Sequence, residues 1–202
     1  SSDRDRRGGV RKRADYPPEI ETGIHRIMGL DMAAQLGAPL PGRFACLCHD
    51  LGKGTTPADI LPRHIGHEER SARLLKGLCQ RLRVPLECRE IADVVAREHG
   101  NIHRSGDFNA AAMVRLLERC DAFRKPQRFA DILLACECDA RGRLSLEHSP
   151  YPQRPRLLAA LAAAEAVVTH RIAEDAQAAG QGGKQIGDLI HQARVAAVNQ
   201  SP

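Results

Sequence analysis

Residues 43–54 read RFACLCHDLGKG, and this stretch decides the fold. Its first nine residues include Phe44, Ala45, Cys46, Leu47 and Cys48, with no breaker until Gly52, which predicts a short apolar helix over Arg43 to Leu51. At the end of that helix stands His49-Asp50. An imidazole beside a carboxylate supplies two ligands that reach one divalent metal from consecutive positions. The dipeptide alone is a weak signal, because a core histidine bonded to a backbone carbonyl explains His49 equally well.

Working outward, the periodicity stays helical. Ile24, Ile27, Met28, Leu30, Ala34 and Leu36 follow a 3.6-residue period that Gly37 stops. A loop with Gly54, Pro57 and Pro62 precedes a helix over Gly66 to Leu82, and another runs from Pro85 to His99-Gly100. Asn109 reads as the N-cap of a helix carrying Met113, Leu116 and Leu117. Pro126 opens the next, which reaches Asp139. After Tyr151-Pro152, one Ala-rich helix is expected over Arg156 to Ala178, then Gly180–Gly183, then a last helix over 186–198. With no strand and no repeat, the chain is expected to be all-α: a compact multi-helix bundle over 16–150 with C-terminal helices over 151–202 as an extension of the same unit.

The chain has 202 residues, 43% hydrophobic, which excludes a wholly disordered protein. Only 3% are aromatic, leaving no obvious platform for stacking bases. The net charge of +5 permits a nucleic-acid or nucleotide partner without requiring one. Residues 1–15 are charged and aperiodic and read as a disordered basic tail or linker. The seven cysteines are odd in number and form no CxxC. Cys46/Cys48 and Cys136/Cys138 are spaced i, i+2 on helices, so each pair points in different directions and reads as small core hydrophobes in a reducing cytoplasm. No apolar run approaches 18 residues and no signal peptide opens the chain, so a cytoplasmic protein with no membrane partner is expected.

The surroundings of His49-Asp50 raise its significance. His25 lies in GIHRIMGLDMAA, His67 in PRHIGHEERS, His99 at the end of the following helix, and Asp121 in LLERCDAFRKP. This order, His…His-Asp…His…His…Asp, resembles the HD-domain metal phosphohydrolase superfamily. The segments EIETGIH, RFACLCHDLGKG, PRHIGHEERS, LCQRLRVP, DAFRKPQRF, ECDARGR and GGKQIGDLIHQARVAAV further resemble the C-terminal half of bacterial CCA-adding tRNA nucleotidyltransferases, across about residues 16–198.

The resemblance implies metal ligands at His25, His49, Asp50 and Asp121, with His67 and His99 added in sites of the extended kind. It also implies phosphohydrolase activities (2′,3′-cyclic phosphodiesterase, 2′-nucleotidase and phosphatase) favoured by nickel. Two or more imidazoles suit nickel, cobalt or manganese better than magnesium, which remains possible. Asp50 is read as a ligand or as the base that orients water. The family's nucleotidyl transfer uses a separate N-terminal domain. Asp3-Arg4-Asp5 and Gly8-Gly9-Val10-Arg11 echo its elements in the wrong order and are read as chance, so nucleotidyl transfer is not expected from these residues alone.

Lys53 points either at the same pocket edge, where it neutralises substrate phosphate, or at the helix dipole. Arg124, Lys125 and Arg128 line a phosphate or RNA path, or form a salt-bridged face. Arg141 and Arg143 follow the family pattern and join the RNA-binding set, and Asp139 is read as a helix-end partner for them in preference to an acid behind the ligands. His64 is a substrate contact or a loop residue. His103 shares a face with His99 only if the helix survives Gly100-Asn101, which is expected to break it. His148, His170 and His191 are assigned no chemistry. The leading function is thus a metal-dependent phosphohydrolase acting on nucleotides or tRNA 3′ ends. The rival is a helical tRNA-binding module with a residual metal site.

Overall fold

The computed structural model describes residues 18–59, 63–143 and 145–201, with side chains from residue 24 onward. The expected tail over 1–15 lies outside the described residues. Among those described are nine α-helices and no strand: α1 (Pro18–Gln35), α2 (Leu40–Cys48), α3 (His67–Leu82), α4 (Leu86–Arg104), α5 (Ala110–Arg119), α6 (Pro126–Arg141), α7 (Gln153–Glu165), α8 (Thr169–Ala178) and α9 (Gly183–Gln200). The chain is all-α, as its periodicity indicates.

The long amphipathic helix α4 is the hub. It packs against α2, α3 and α6, while α1 closes over α2 and α6. Its inward stripe of Ile91, Val94, Val95, His99 and Ile102 recurs at helical spacing, so one helix contributes both core and site. Phe129, Ile132 and Leu133 of α6 and Leu116 and Leu117 of α5 are fully buried in the same core. The helices α5, α7, α8 and α9 form the other end of the molecule: α9 packs on α5, α7 and α8, and α7 also touches α6. All seven cysteines are free and buried.

Two glycines permit the close approaches that shape the site. A Cβ on Gly52 would meet the Ser71 nitrogen at 2.6 Å, and the Gly52 N–H donates to Ser71 Oγ at 2.8 Å. The short 3-10 turn after Asp50 (Leu51–Thr55) is thereby seated against the start of α3. A Cβ on Gly142 would meet Gly29 Cα at 2.5 Å, so the end of α6 lies against α1. Asn109 caps α5 by accepting from the Ala112 N–H at 2.8 Å.

Several helix ends shift by a few residues, among them α2, which covers Leu40–Cys48 where Arg43 to Leu51 was expected, and two breaks differ from expectation. Helix α4 runs through Gly100-Asn101 to Arg104, because the N–H groups after the glycine keep their helical partners and Ile102 packs in the core at 0% exposure. The Ala-rich segment is two helices, not one. The β-branched run Val167-Val168-Thr169 restarts the chain as α8, which lies on α9.

Candidate metal centre

Five elements aim polar groups at one buried point. His25 comes from α1, His49 and Asp50 from the end of α2, His67 from the first residue of α3, His99 and His103 from one face of α4, and Asp139 from the last turn of α6. His49, Asp50, Asp139 and His99 are all buried.

The imidazoles are held in one tautomer by the backbone. Nδ1 of His25 donates to the Gly142 carbonyl at 3.0 Å, that of His49 to Cys46 at 2.8 Å, that of His67 to His64 at 3.0 Å and that of His99 to Val95 at 2.8 Å. Each ring therefore turns Nε2 inward. A ligating histidine that donates its other nitrogen to a carbonyl is the arrangement of metal sites.

The inward atoms are crowded and unsatisfied. His49 Nε2 lies 3.1 Å from Asp50 Oδ2 and 3.0 Å from Asp139 Oδ1. His67 Nε2 is 3.4 Å, and His99 Nε2 3.7 Å, from Asp50 Oδ1. Buried His49 Nε2, Asp50 Oδ1 and His67 Nε2 have no hydrogen-bond partner among the described residues. His25 Nε2 stands 2.8 Å from Asp139 Oδ1 while its Nδ1 hydrogen is already committed. Two lone pairs that close require a shared cation, a proton or a metal. Three donor groups have ligand atoms within 4.8 Å of one another: His25/His49/Asp139, His49/Asp50/His99 and His67/Glu68/His99. Imidazole and carboxylate donors in this number are compatible with a divalent metal ion.

The charges are strongly coupled. Burial pushes the His49 imidazole down, but the Asp139 and Asp50 carboxylates outweigh it and hold the group up at about 10. Burial and the neighbouring His49 push His99 down to about 4, leaving it a neutral donor near pH 7. Burial pushes Asp50 up, yet the His49 and His67 imidazoles and the Lys53 ammonium that face it keep it well below the usual carboxylate range. Asp139 is likewise held low against burial, by the charge of His49 and by the His103 and His25 imidazoles that face it. Lys53, one-quarter exposed, binds Asp50 Oδ2 at 2.7 Å.

Of the residues expected as ligands, the structure brings together His25, His49, Asp50, His67 and His99, and it does not bring Asp121 to them. Helix α5 ends before Asp121, which sits in the turn at φ 54°. Its carboxylate takes the Arg124 Nε–H at 2.9 Å and lies 3.5 Å from Arg128, and the bond to Arg124 holds it below its ordinary range. The closing acid is Asp139. It is not the partner of the nearby arginines, for Arg141 and Arg154 both pair with Glu137.

The remaining basic candidates divide. Arg124 is taken by Asp121, and Lys125 and Arg128 by Glu90 at 3.0 and 3.4 Å. Arg141 also donates to the Glu147 carbonyl, and Arg143 is exposed. His64 is a loop residue whose Nδ1 meets Thr56 Oγ1 at 2.7 Å, and His191 pairs with Glu118. No motif marks Glu68 or Tyr151 in the sequence, and the expected break at Gly100-Asn101 separates His103 from the site there.

This geometry defines a class. Residues 22–140 match the HD domain family, and the chain belongs to that family. Its relatives narrow the comparison. Over 193 residues it is 78% identical to the Multifunctional CCA protein of Polaromonas naphthalenivorans (strain CJ2), a match covering 96% of this chain and 46% of that protein. The proteins of the same name from Paracidovorax citrulli (strain AAC00-1) and Variovorax paradoxus (strain S110) are 68% and 64% identical, covering 97% and 98% of this chain and 47% of each relative. The chain thus spans about half the length of the curated relatives it matches. No solved structure matches it significantly.

Proposed function

We propose that the chain is a divalent-metal-dependent phosphohydrolase module, hydrolysing 2′,3′-cyclic nucleotides, 2′-nucleotides or phosphate esters at tRNA 3′ ends, as part of a cytoplasmic CCA-type protein. The observation that carries this reading is the set of inward Nε2 atoms with every Nδ1 locked, converging on two buried carboxylates. His25, His49, Asp50 and Asp139 would hold the ion, with His67 and His99 on the other oxygen of Asp50. Such an ion supplies Lewis-acid polarisation of a phosphoryl oxygen and acidifies water.

The chain's own groups do the rest. Asp50 stays ionised because Lys53 and two imidazoles face it, so it accepts a proton or orients water. Lys53 keeps a partly exposed ammonium at the rim, where a phosphate would displace or share it. The tRNA end as substrate rests on the resemblance to CCA-adding enzymes. No described helix is long and apolar enough to cross a membrane.

The test is hydrolysis of 2′,3′-cyclic AMP by the metal-stripped chain with nickel, manganese, cobalt or magnesium added back. Activity should return best with nickel and fall at least about 100-fold in His49→Ala and Asp50→Ala, while circular dichroism stays helical. Full activity in both variants would remove the assignment.

One observation favours RNA binding as a second reading. Residues 73–89 carry Arg73, Lys76, Arg81, Arg83 and Arg89 against a single acid, Glu87. All five cations are exposed, and among the described residues none has an ion-pair partner, unlike Lys125 and Arg128. Arg73, Lys76 and Arg89 line a groove of about 460 Å³ between α3 and α4, which Glu69, Glu90 and Asp93 also line. Replacing Arg73, Lys76 and Arg89 by Glu should reduce the log–log salt slope of tRNA affinity by about 0.7–0.9 for each phosphate no longer neutralised. An unchanged slope would exclude this surface.

A further inference from the structure

The two oxygens of Asp139 have separate partners. Oδ1 faces the cluster, 2.8 Å from His25 Nε2 and 3.0 Å from His49 Nε2. Oδ2 is taken by His103 Nε2 at 2.8 Å, and His103 Nδ1 lies 2.7 Å from the Tyr151 hydroxyl. His103 is outside all three groups of convergent donors. Tyr151 is buried and follows the residues that match the HD family. The segment it opens is fastened to the end of α4: Gln153 donates to the His103 carbonyl at 2.9 Å, and Arg156 to the carbonyls of Ser105, Gly106 and Phe108.

We propose that Tyr151 and His103 form an orienting relay that fixes the Asp139 carboxylate, so that the segment beyond the HD-matched residues sets the geometry of the metal centre. This rests on the metal reading above. Both are positioning residues. A carboxylate oxygen only accepts, so His103 must carry a hydrogen on Nε2. A neutral ring then has its lone pair on Nδ1, and the Tyr151 O–H fills it. Burial raises the phenol's pKa, which keeps it a donor. With Oδ2 occupied, Oδ1 alone is presented to the cluster. Without the phenol, the ring is free to adopt the other tautomer and turn a lone pair on Oδ2, which releases the carboxylate. The relay also explains why α4 continues through Gly100: only an unbroken helix sets His99 and His103 one turn apart, one facing the centre and the other its acid.

The test compares the full chain with Tyr151→Phe, His103→Leu and His103→Gln, measuring Co²⁺ affinity by chelator competition and the visible spectrum of the Co²⁺-loaded protein. His103→Leu should weaken affinity about 10–100-fold and change the spectrum. Tyr151→Phe, which keeps the ring and its packing, should weaken it about 2–10-fold, one hydrogen bond's worth. His103→Gln, whose amide still donates, should recover most of the loss. Wild-type affinity and spectrum in Tyr151→Phe and His103→Leu would overturn the relay. A wild-type chain that binds no Co²⁺ contradicts the metal reading instead. In that case long-range ¹H–¹⁵N spectra of the metal-free chain decide the relay. His103 in the Nε2–H form, redistributed in Tyr151→Phe, supports it, and an unchanged tautomer in the variant overturns it.

Discussion

At the scale of single residues, two aspartates have opposite surroundings. Asp139 is 2% exposed and meets three imidazoles, whereas Asp121 sits in a turn and meets two guanidinium groups. Asp139→Asn should therefore weaken nickel binding at least about 100-fold, since it removes one charge and one acceptor from the centre of the cluster. Asp121→Asn should leave nickel affinity within about twofold and cost under about 1 kcal/mol of stability, the worth of an exposed ion pair. Chelator competition and thermal unfolding read both, and equal losses in the two variants would contradict the assignment. The sequence carried a signal for Asp139. With Ile132 and Cys136 it falls at i, i+4 and i+7 of one buried helical face, where a lone acid must find partners. Order along the chain pointed to Asp121 instead, because family spacing does not say which side of a helix an acid faces.

At the scale of elements, five of the converging side chains were legible because each sits in or next to a strongly periodic helix, and that period fixes which residues face inward. The breaks were less legible. Gly100-Asn101 resembles a stop, but burial of Ile102 and the anchoring of His103 hold α4 together across it. Conversely, Val167-Val168-Thr169 holds neither glycine nor proline, and tertiary packing of α8 on α9 decides the break there. The approach of α6 to α1 at Gly142 and Gly29 was invisible in sequence, since either glycine alone reads as a turn or a helix end. This approach matters to the site, because the Gly142 carbonyl orients His25. Gly142→Ala should thus lower stability by about 1–3 kcal/mol through overpacking and weaken nickel binding as well. Calorimetric unfolding and chelator competition measure the two effects, and a melting temperature equal to wild type would show that the contact yields without cost.

At the scale of the whole molecule, the fold encloses two carboxylates and several imidazoles where water is scarce, and their protons respond to what fills the site. In the metal-free protein the acids hold His49 protonated up to about pH 10. Its folded pKa lies above the unfolded value, so the stability it contributes is complete below about pH 6.5 and is lost as pH rises through about 10. The depressed Asp50 and Asp139 act in the opposite sense, their contribution being lost only as pH falls below about 4. A metal must displace the His49 proton, so apparent affinity should rise about tenfold per pH unit between pH 7 and 9. The most direct measurement is calorimetric titration of the metal-stripped chain with nickel, at pH 7.5 in two buffers of different ionisation enthalpy. The account predicts stoichiometric binding that releases about one proton per ion and is abolished in Asp139→Asn. Binding with no proton release, or binding undiminished in Asp139→Asn, would contradict it.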